Sequence, residues 1–446
     1  MDGISSARMK LIGDATAVEA AKRVTGVSIE GGKYVYVRGL GDRYTKTTLN
    51  SMDIPGLDPD RNTLQMDIFP TTLINNIVVS KNFTADLPAD FTGGVLDVET
   101  KDFPEEKTFQ VSVSTAFNPG MHFNSDFLQY NGGKTDFLGF DDGSRALPQG
   151  ADAAVIPTPF VRPDQEVNAF ARSFNPQLAA VRNTSLMDLG ASISFGNQIA
   201  LKTNKSGVEP KLGYIFSLSY KSDYKYYDDV YNNEYQRFID KEAYEMRYAT
   251  IIKGQMGERN VLGGALAGLA YKTARSKYRL TVMRLQNGES RAGKFDIDND
   301  GAAVGQSGYI AISDNLEYNQ RSLTNLLLNG THVSKNAAWE IDWRLSPTLS
   351  TSYDPDIRKT AFTYTPSSTF FSSGAGGNPS RIWRYLDELN AAAKIDITRK
   401  YTFKGEEAKL KFGGSHTYKT RDYEILFFDI QFFANKQWVN PDPATV

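Results

Sequence analysis

From Lys107 onward, apolar residues recur at every second position of this 446-residue chain. The clearest stretch covers residues 339–345. Its apolar residues are Trp339, Ile341, Trp343 and Leu345, and the charged residues between them are Glu340, Asp342 and Arg344. A period of two predicts β-strands with two unlike faces. A soluble sandwich also alternates, but consecutive charges opposite large apolar residues favour strands that separate a wet lumen from lipid.

The alternation predicts nine strands joined by segments that are alternately long and short. The strands are expected near 107–117, 186–197, 210–226, 259–272, 276–287, 316–332, 337–350, 381–398 and 408–424. The long segments are 118–185, 227–258, 288–315 and 351–380, and the shorter ones are 198–209, 273–275, 333–336 and 399–407. Outer-membrane barrels have long outer loops and short periplasmic turns. Residues 106–446 are therefore predicted to form transmembrane β-strands.

Residues 1–105 have a different pattern, which predicts a compact mixed α/β domain. Asp14 is a candidate cap for a helix from Ala15 to about Val24, and Gly26 is its expected terminator. Short strands are expected at Val27–Ile29, Tyr34–Arg38, within Leu73–Ser80, and at Gly94–Thr100. Polar excursions are expected at Asn50–Gln65 and Phe83–Phe91.

This front domain contains two glycine motifs about 55 residues apart. The first includes Arg38, Gly39 and Gly41, and the second includes Gly93 and Gly94. Glycines at such positions permit tight turns and close approach of two backbones. The two motifs are therefore the candidate functional residues of the domain.

In order and spacing, these segments resemble the plug domain of TonB-dependent outer-membrane receptors, most of all those of Bacteroidota. The matching segments are Ala15–Ile29, Val35–Gly41, and Ile77–Lys81 leading to Gly93-Gly94-Val95. The resemblance implies a mainly β fold with a small α/β plug and part of a barrel of 22 antiparallel transmembrane strands. It also implies contact with outer-membrane lipid and with the TonB complex, and a surface lipoprotein is a further candidate partner.

The resemblance implies uptake of a scarce or large ligand, energised by TonB through remodelling of the plug. A second interpretation is a plugged barrel that no longer transports and serves as a structural or docking subunit. A third is a soluble β-sandwich that binds carbohydrate. The chain shows no signal peptide and no TonB box, and its strands are fewer than 22. We therefore expect a receptor truncated at both ends that does not insert alone as a stable monomer.

Arg38 admits two interpretations. Its planar guanidinium can bind a wall carboxylate such as Glu340 or Asp342 and so hold the plug to the barrel. Alternatively, it forms a bridge within the plug. The sequence leaves both open.

Asp296, Asp298 and Asp300 precede Gly301 with the spacing of the first half of a calcium loop. Ser307 occupies the twelfth position, where that loop needs a bidentate acid. An acidic turn in an outer loop is the favoured interpretation, and a calcium site is the weaker one.

Aromatic residues are numerous in the predicted loops. They are Tyr224, Tyr226, Tyr227, Tyr231, Tyr235, Phe370, Phe371 and Trp383. They are expected to form an interfacial girdle, with ligand binding as the alternative.

Several other functions are excluded by composition and spacing. The net charge of −2 gives no support for nucleic-acid binding, and the lack of cysteine excludes thiol chemistry. Gly39-Leu40-Gly41 is no dinucleotide fingerprint, because Tyr44 replaces the third glycine. The three histidines lie far apart, so no catalytic site and no resident cofactor are predicted.

Overall fold

The computed structural model describes residues 2–41, 43–61, 64–88, 90–153, 155–158, 160–202, 209–237, 242, 244–300, 308–365, 368–370 and 378–430. They form a small N-terminal α/β unit followed by long antiparallel strands. No helix within these ranges is both long enough and apolar enough to cross a membrane.

The N-terminal unit is built on a five-stranded sheet in the order β1-β6-β7-β4-β5 and a separate β2–β3 hairpin. Its elements are β1 (Asp2–Ser5), α1 (Ser6–Ile12), α2 (Ala17–Ala21), β2 (Val27–Glu30), β3 (Tyr34–Val37), β4 (Thr45–Leu49), β5 (Met52–Asp53), β6 (Ile74–Ser80) and β7 (Gly94–Thr100). Short 3₁₀ turns at Met66–Ile68 and Thr71–Leu73 lead into β6. The strands predicted at Val27, Tyr34 and Gly94 are confirmed.

Helix α2 is shorter than predicted, and Asp14 does not cap it. Thr16 occupies the N-cap position, and the Glu19 carboxylate accepts hydrogen bonds from the backbone N–H groups of Ala15 and Thr16. Asp14 instead accepts two hydrogen bonds from the Arg23 guanidinium, 2.7 Å each. The Arg23 guanidinium thus occupies the Asp14 carboxylate, and the helix begins after Thr16 instead.

The rest of the described chain is dominated by one antiparallel sheet. Its strands are β8 (Thr108–Ala116), β11 (Asp188–Ala200), β12 (Lys211–Arg237), β13 (Met246–Lys272), β14 (Ser276–Asn299), β15 (Tyr309–Val333), β16 (Trp339–Thr365), β17 (Ser368–Phe370), β18 (Ser380–Phe403) and β19 (Glu406–Asp429). The segment between β8 and β11 contains β9 (Leu128–Gln129), α3 (Asp164–Arg172) and β10 (Val181–Arg182). Nine of these strands pair in the order β19-β18-β16-β15-β14-β13-β12-β11-β8.

All nine predicted strands are present, but seven of them (β12 to β16, β18 and β19) extend at least five residues past a predicted end. Residues 227–237 and 246–256, expected in a long loop, pair with each other in β12 and β13. Likewise, residues 293–299 pair with 309–315 in β14 and β15. Ladder hydrogen bonds join backbone groups, so a polar side chain does not end a strand that has a partner.

The two faces of the sheet differ in the way that the alternation predicts. On β12, Ile215, Ser217 and Ser219 are buried on the inner face, whereas Leu212 and Leu218 are exposed on the outer face. We call the exposed outer residues the apolar belt. Its members include Leu212, Leu218, Leu269, Leu280, Val282, Leu326, Leu345 and Leu349, which are 36–55% exposed.

The N-terminal unit packs on the inner face of the sheet. Its hydrophobic core is continuous with Leu262, Leu266 and Met283 of the long strands. Polar contacts extend from Lys10–Gln110 on β8 (2.9 Å) to Asp86–Lys411 on β19 (2.9 Å). Because nine strands spaced about 4.8 Å apart contact one small domain, the sheet must curve around it. We refer to this domain as the plug and to the sheet as the wall.

Exposed aromatic residues cluster on the outer face near the short turns of the wall. They are Tyr271, Tyr278, Trp339, Tyr401 and Phe403, which are 39–60% exposed. Aromatic residues beside an apolar belt are typical of a membrane interface.

Candidate functional site at the plug–wall interface

The two glycine motifs lie against each other in the plug. The turn after β3 places Arg38 and Gly39 at φ +58° and +73°. A Cβ on Gly93 would lie 2.8 Å from the Val37 carbonyl oxygen, and one on Gly94 would lie 2.8 Å from Val37 Cγ1. These distances are too short for any other residue, so both glycines are required by the close approach of β7 to β3.

Gly41 has a similar steric role within the first motif. A Cβ at this position would collide with the ring of Tyr36. The second motif is joined to the first by backbone hydrogen bonds, in which the N–H groups of Thr92 and Gly93 donate to the Tyr44 carbonyl oxygen at 3.0 and 2.9 Å. The motifs therefore form one structural unit that fixes the shape of the plug.

Arg38 does not reach the wall carboxylates that the sequence suggested. It is exposed, and its Nη2 donates to Asn82 Oδ1 of the plug at 3.5 Å. Within the described chain, Glu340 pairs with Lys400 and Asp342 pairs with Arg344. The left-handed turn directs Arg38 away from the wall, so the interpretation as a bridge within the plug is the one that the structure supports.

A different arginine joins wall and plug, and it belongs to the wall. The Arg321 side chain on β15 is 1% exposed. Its Nη1 and Nη2 donate to the two carboxylate oxygens of plug residue Asp67 at 3.1 and 2.7 Å. Further bonds go to Gln65 of the plug and to Asn287 of β14. We call these four residues, with Glu289 and Lys33, the Arg321 cluster.

A second ion pair in this cluster has the opposite polarity. Plug residue Lys33 donates to the carboxylate of Glu289 on β14 at 3.0 Å, and Glu289 also lies 3.6 Å from Arg321. The plug thus supplies the anion Asp67 and the cation Lys33. Their wall partners, Arg321 and Glu289, are almost fully buried. Buried charges require such compensation, so the cluster specifies how the plug sits on the wall.

Tyr34 connects the first glycine motif to this cluster. Its hydroxyl accepts a hydrogen bond from Gln65 Nε2 at 2.9 Å and donates to Asp58. Burial, with the Asp58 carboxylate beside it, raises the pKa of Tyr34 well above its usual range. The phenol therefore stays protonated and can act as a fixed hydrogen-bond bridge.

The remaining plug–wall polar contacts are more exposed. Arg344 Nη1 donates to the Asn50 carbonyl oxygen at 3.0 Å, and Asp102 pairs with Lys277 at 2.9 Å. Exposed ion pairs contribute little to stability. The Arg321 cluster is therefore the main electrostatic contact between plug and wall among the described residues.

The segment between β8 and β11, residues 117–187, crosses the opposite face of the wall. We call it the β8–β11 loop. Tyr220 Oη donates to the Phe137 carbonyl oxygen at 2.7 Å, and Phe127 packs on Tyr224 and Tyr226. These tyrosines share strand parity with Leu212 and Leu218 of the apolar belt. The loop therefore covers the outer face of the long strands beyond the belt, while the plug occupies the inner face.

Arg145 organises the middle of this loop. Its buried guanidinium donates to Asp136 at 2.6 and 2.9 Å and to Asp141 at 2.8 Å, and it lies 4.1 Å from the centre of the Tyr318 ring. Burial would lower the pKa of Arg145, but the hydrogen bonds with Asp136 and the other anions raise it above its usual range. Burial raises the pKa of Tyr130, whose hydroxyl accepts from Arg145, to about 12. The loop core is thus charged and fully paired.

A second cluster attaches the far end of the loop to β16 and β18. Arg358 and Arg381 share the buried carboxylate of Asp356. Their Nη1 atoms donate to the carbonyl oxygens of Gln177 and Asn175 in the loop at 2.7 and 2.8 Å. These bonds attach half-buried backbone carbonyls of the loop to two neighbouring strands of the wall.

The β8–β11 loop covers three of the aromatic residues that were expected to form the girdle. Tyr224, Tyr226 and Trp383 are 8%, 7% and 1% exposed because the loop covers them. They therefore form neither a lipid-facing girdle nor an open ligand surface. Phe371 lies outside the described residues, as does the side chain of Phe370.

One short segment of β14 is contacted from both faces. Gln286 Nε2 donates to the Gly139 carbonyl oxygen of the β8–β11 loop at 2.7 Å. The next residue, Asn287, accepts from Arg321, and Glu289 binds Lys33 of the plug. Because alternate residues of a strand point to opposite faces, residues 286–289 join the loop and the plug through one piece of backbone.

The predicted acidic turn is not a turn over most of its length. Asp296 and Asp298 lie in β14, which pairs with strands on both sides, and Asp300 binds Arg247. Gly301 and Ser307 lie outside the described residues. Among the described residues, no three His, Asp or Glu side chains are close enough to hold a metal ion. Calcium binding stays a prediction.

Neither the Arg321 cluster nor the position of the β8–β11 loop could be predicted from the sequence. A partial signal was present, because Arg321 falls on the inner face of a strand that the alternation predicts correctly. Its partner Asp67 lies 254 positions away, and no local pattern indicates that distance.

An α/β domain held by buried ion pairs against a curved wall of long antiparallel strands is the arrangement of a plug lying against part of a β-barrel wall. Residues 1–95 match the family model of the TonB-dependent receptor plug domain, so the N-terminal part of this chain is such a plug. Proteins built on this plug are receptors and transporters rather than enzymes. No curated protein matches the chain in sequence.

Solved structures of outer-membrane transporters show a weak overall similarity. The transporter YddB from Escherichia coli has 10% identity and a TM-score of 0.32, over 95% of this chain and 57% of its own. The unliganded ferric citrate transporter FecA has 9% identity and a TM-score of 0.32, over 95% and 60%. The ferric preacinetobactin receptor BauA from Acinetobacter baumannii has 9% identity and a TM-score of 0.24, over 97% and 76%. Our chain spans less than two thirds of the length of the first two, and scores this low support no argument about its ligand.

Proposed function

We propose that this chain belongs to a TonB-dependent transporter of the outer membrane, in which the plug blocks the barrel until energy from TonB displaces it. Outer-membrane lipid and the TonB complex are its partners. A surface lipoprotein partner stays a prediction.

The proposal is supported chiefly by how the plug is held. The family match identifies the domain, and the apolar belt gives the wall a surface suited to lipid. The Arg321 cluster fixes the plug by a few ion pairs and hydrogen bonds on the inner face. Such contacts are directional and can be exchanged for water once the plug begins to move. Apolar wall residues such as Leu262 and Leu266 also contact the plug core, so the interface is mixed rather than wholly polar.

Cysteine labelling of a wall position beneath the plug tests this proposal. Ser346 on β16 is 1% exposed on the inner face, beside the plug contact of Arg344 with Asn50. The chain has no cysteine, so Ser346→Cys introduces a single, nearly isosteric thiol. In energised cells of the source organism, we expect a membrane-permeant maleimide to label this thiol, and a protonophore to abolish the labelling.

The control variant is Lys335→Cys, which lies in an exposed turn and should be labelled under both conditions. If Ser346→Cys stays protected with and without the proton gradient, the plug does not move. The chain would then be a plugged structural subunit rather than a transporter.

A further inference from the structure

A cavity of about 370 Å³ lies between the β8–β11 loop and the outer face of the wall. Its floor is formed by β14, where Gly288, Ser290 and Ala292 point toward the loop. These three residues are small, whereas the neighbouring strands β13 and β15 contribute the large residues Arg259 and Tyr318. The cavity therefore results from a row of small residues between two large polar ones.

Two buried polar atoms, on side chains that line this cavity, have no hydrogen-bond partner among the described residues. They are Oη of Tyr318, a residue only 1% exposed, and Nε of Arg259. Both residues are directly opposite Ser290 in the ladders, Arg259 on β13 and Tyr318 on β15. Buried donors are almost always paired in folded proteins, so two unpaired donors in one cavity indicate a bound acceptor.

The charge in the cavity is positive. Arg259 has no ion-pair partner among the described residues, and exposed Lys134 adds a second cation. The acidic residue at the cavity, Asp136, is already bound to Arg145. Arg145 also lies over the Tyr318 ring, which leaves the hydroxyl at the ring's edge free to donate.

We propose that this cavity binds a phosphate group carried on a sugar-sized organic body. Arg259 and Tyr318 are two strand spacings apart, roughly 10 Å between their Cα atoms, so the ligand must offer several acceptor oxygens to engage both. A phosphate provides these, and a guanidinium is its preferred partner. A volume of about 370 Å³ accommodates more than the phosphate alone.

Two sources can supply this chemistry. Free sugar phosphates are one, and the phosphorylated saccharide of an outer-leaflet glycolipid is the other. Ser290 lies eight residues beyond Val282 of the apolar belt, which is about 26 Å along the strand. The cavity is thus beyond the acyl chains, at the level of surface saccharides. The glycolipid source rests on the proposed outer-membrane location.

Isothermal titration of the full chain, purified in detergent, tests the proposal. The probes are glucose 1-phosphate and lipopolysaccharide, the latter before and after phosphatase treatment. We expect saturable binding of at least one probe. The Kd should rise about tenfold in Arg259→Gln and in Tyr318→Phe, because each loses one donor to the phosphate. Ser290→Leu, which fills the floor and removes neither group, should abolish binding.

The matched control is Arg284→Gln, since this outer-face arginine of β14 binds Thr324 and Gln286 outside the cavity. Its Kd should equal that of the unmodified chain. Binding of glucose 1-phosphate identifies a soluble ligand, whereas binding of lipopolysaccharide alone, lost after phosphatase, identifies the glycolipid. No binding of either probe, or an unchanged Kd in Arg259→Gln, would overturn the proposal. The titration needs no proton gradient, so its failure leaves the transport proposal to the Ser346→Cys experiment.

Discussion

The buried guanidinium of Arg321 shows how one residue can determine the position of a whole domain. It forms two bonds with Asp67 of the plug and others with Gln65 and Asn287. Removing a guanidinium from water is costly, and only the complete set of partners offsets that cost. The plug position that places Asp67 beside Arg321 is therefore strongly preferred over neighbouring positions.

Asp67→Asn should weaken the attachment of the plug by roughly 3 kcal/mol, because the buried Arg321 charge loses its bidentate partner. Hydrogen exchange at the β6 and β7 amides measures the free energy of plug opening. Asp90→Asn is the matched control, since the Asp90–Lys46 pair is exposed and should change this free energy by less than about 1 kcal/mol. Equal effects of the two variants would show that Asp67 has no special role.

The lowered pKa of Lys101, which follows β7, should make the stability of the plug depend on pH. Burial, with a smaller contribution from Lys10, lowers the pKa of Lys101 to about 8 from 10.5. Between these values the unfolded chain binds more protons than the folded one. Stability from this residue should therefore rise as the pH increases from about 8 to about 10.5.

The measurement is urea unfolding at about pH 7.5, 9 and 10.5, for the unmodified chain and for Lys101→Met. The variant should lose the rise, because its side chain does not titrate. The exposed Lys107→Met serves as the control and should keep it. A rise of the same size in Lys101→Met would assign the effect to other groups.

At the level of elements, the β8–β11 loop behaves as a folded layer rather than as a flexible connection. Trp383 of β18 donates from Nε1 to the Arg145 carbonyl oxygen at 2.9 Å and packs edge-on against Phe174. Arg358 and Arg381, which both pair with Asp356, bind the adjacent part of the loop. The loop is thus attached at several points of the wall, from β12 to β18.

Trp383→Ala should therefore release the far part of the loop, with a loss of about 3–5 kcal/mol of packing free energy. Limited proteolysis should then cleave within residues 140–180 faster than in the unmodified chain, while circular dichroism shows the same strand content. Trp339→Ala is the control, because that ring is 39% exposed on the outer face near a short turn. Resistance of the loop in Trp383→Ala would mean that the arginine contacts alone hold it.

For the whole molecule, the plug and the β8–β11 loop are separate layers that share one strand. The inner face of residues 286–289 holds the Arg321 cluster, and the outer face holds Gly139 and the loop cavity. A shift of this backbone would alter both faces together, because the same peptide groups orient both sets of side chains. The wall is therefore a physical connection between outer surface and plug.

The strands, the two faces of the sheet and the glycine motifs could be predicted from local patterns of residues. Alternation of side chains follows from the geometry of a single strand, so nine strands and the outward set around Leu218 and Leu345 could be predicted. Gly93 and Gly94 could be recognised as candidates for close backbone approach, but their partner Val37 on β3 is identified only by the tertiary structure. Strand ends could not be predicted, since residues such as 227–237 stay in the sheet only because β13 pairs with them.

Which charged residues pair, and where the β8–β11 loop lies, depends on the packing of elements that are far apart in the sequence. Arg38 was a candidate for contact with the wall, but its side chain contacts Asn82 of the plug. The arginine that joins wall and plug is Arg321, whose partner Asp67 is 254 positions away in the sequence. The β8–β11 loop lies on the outer face because it is held there by Trp383, by Tyr224 and by the arginines paired with Asp356. These outcomes depend on how separately formed elements pack together, which no local pattern of residues encodes.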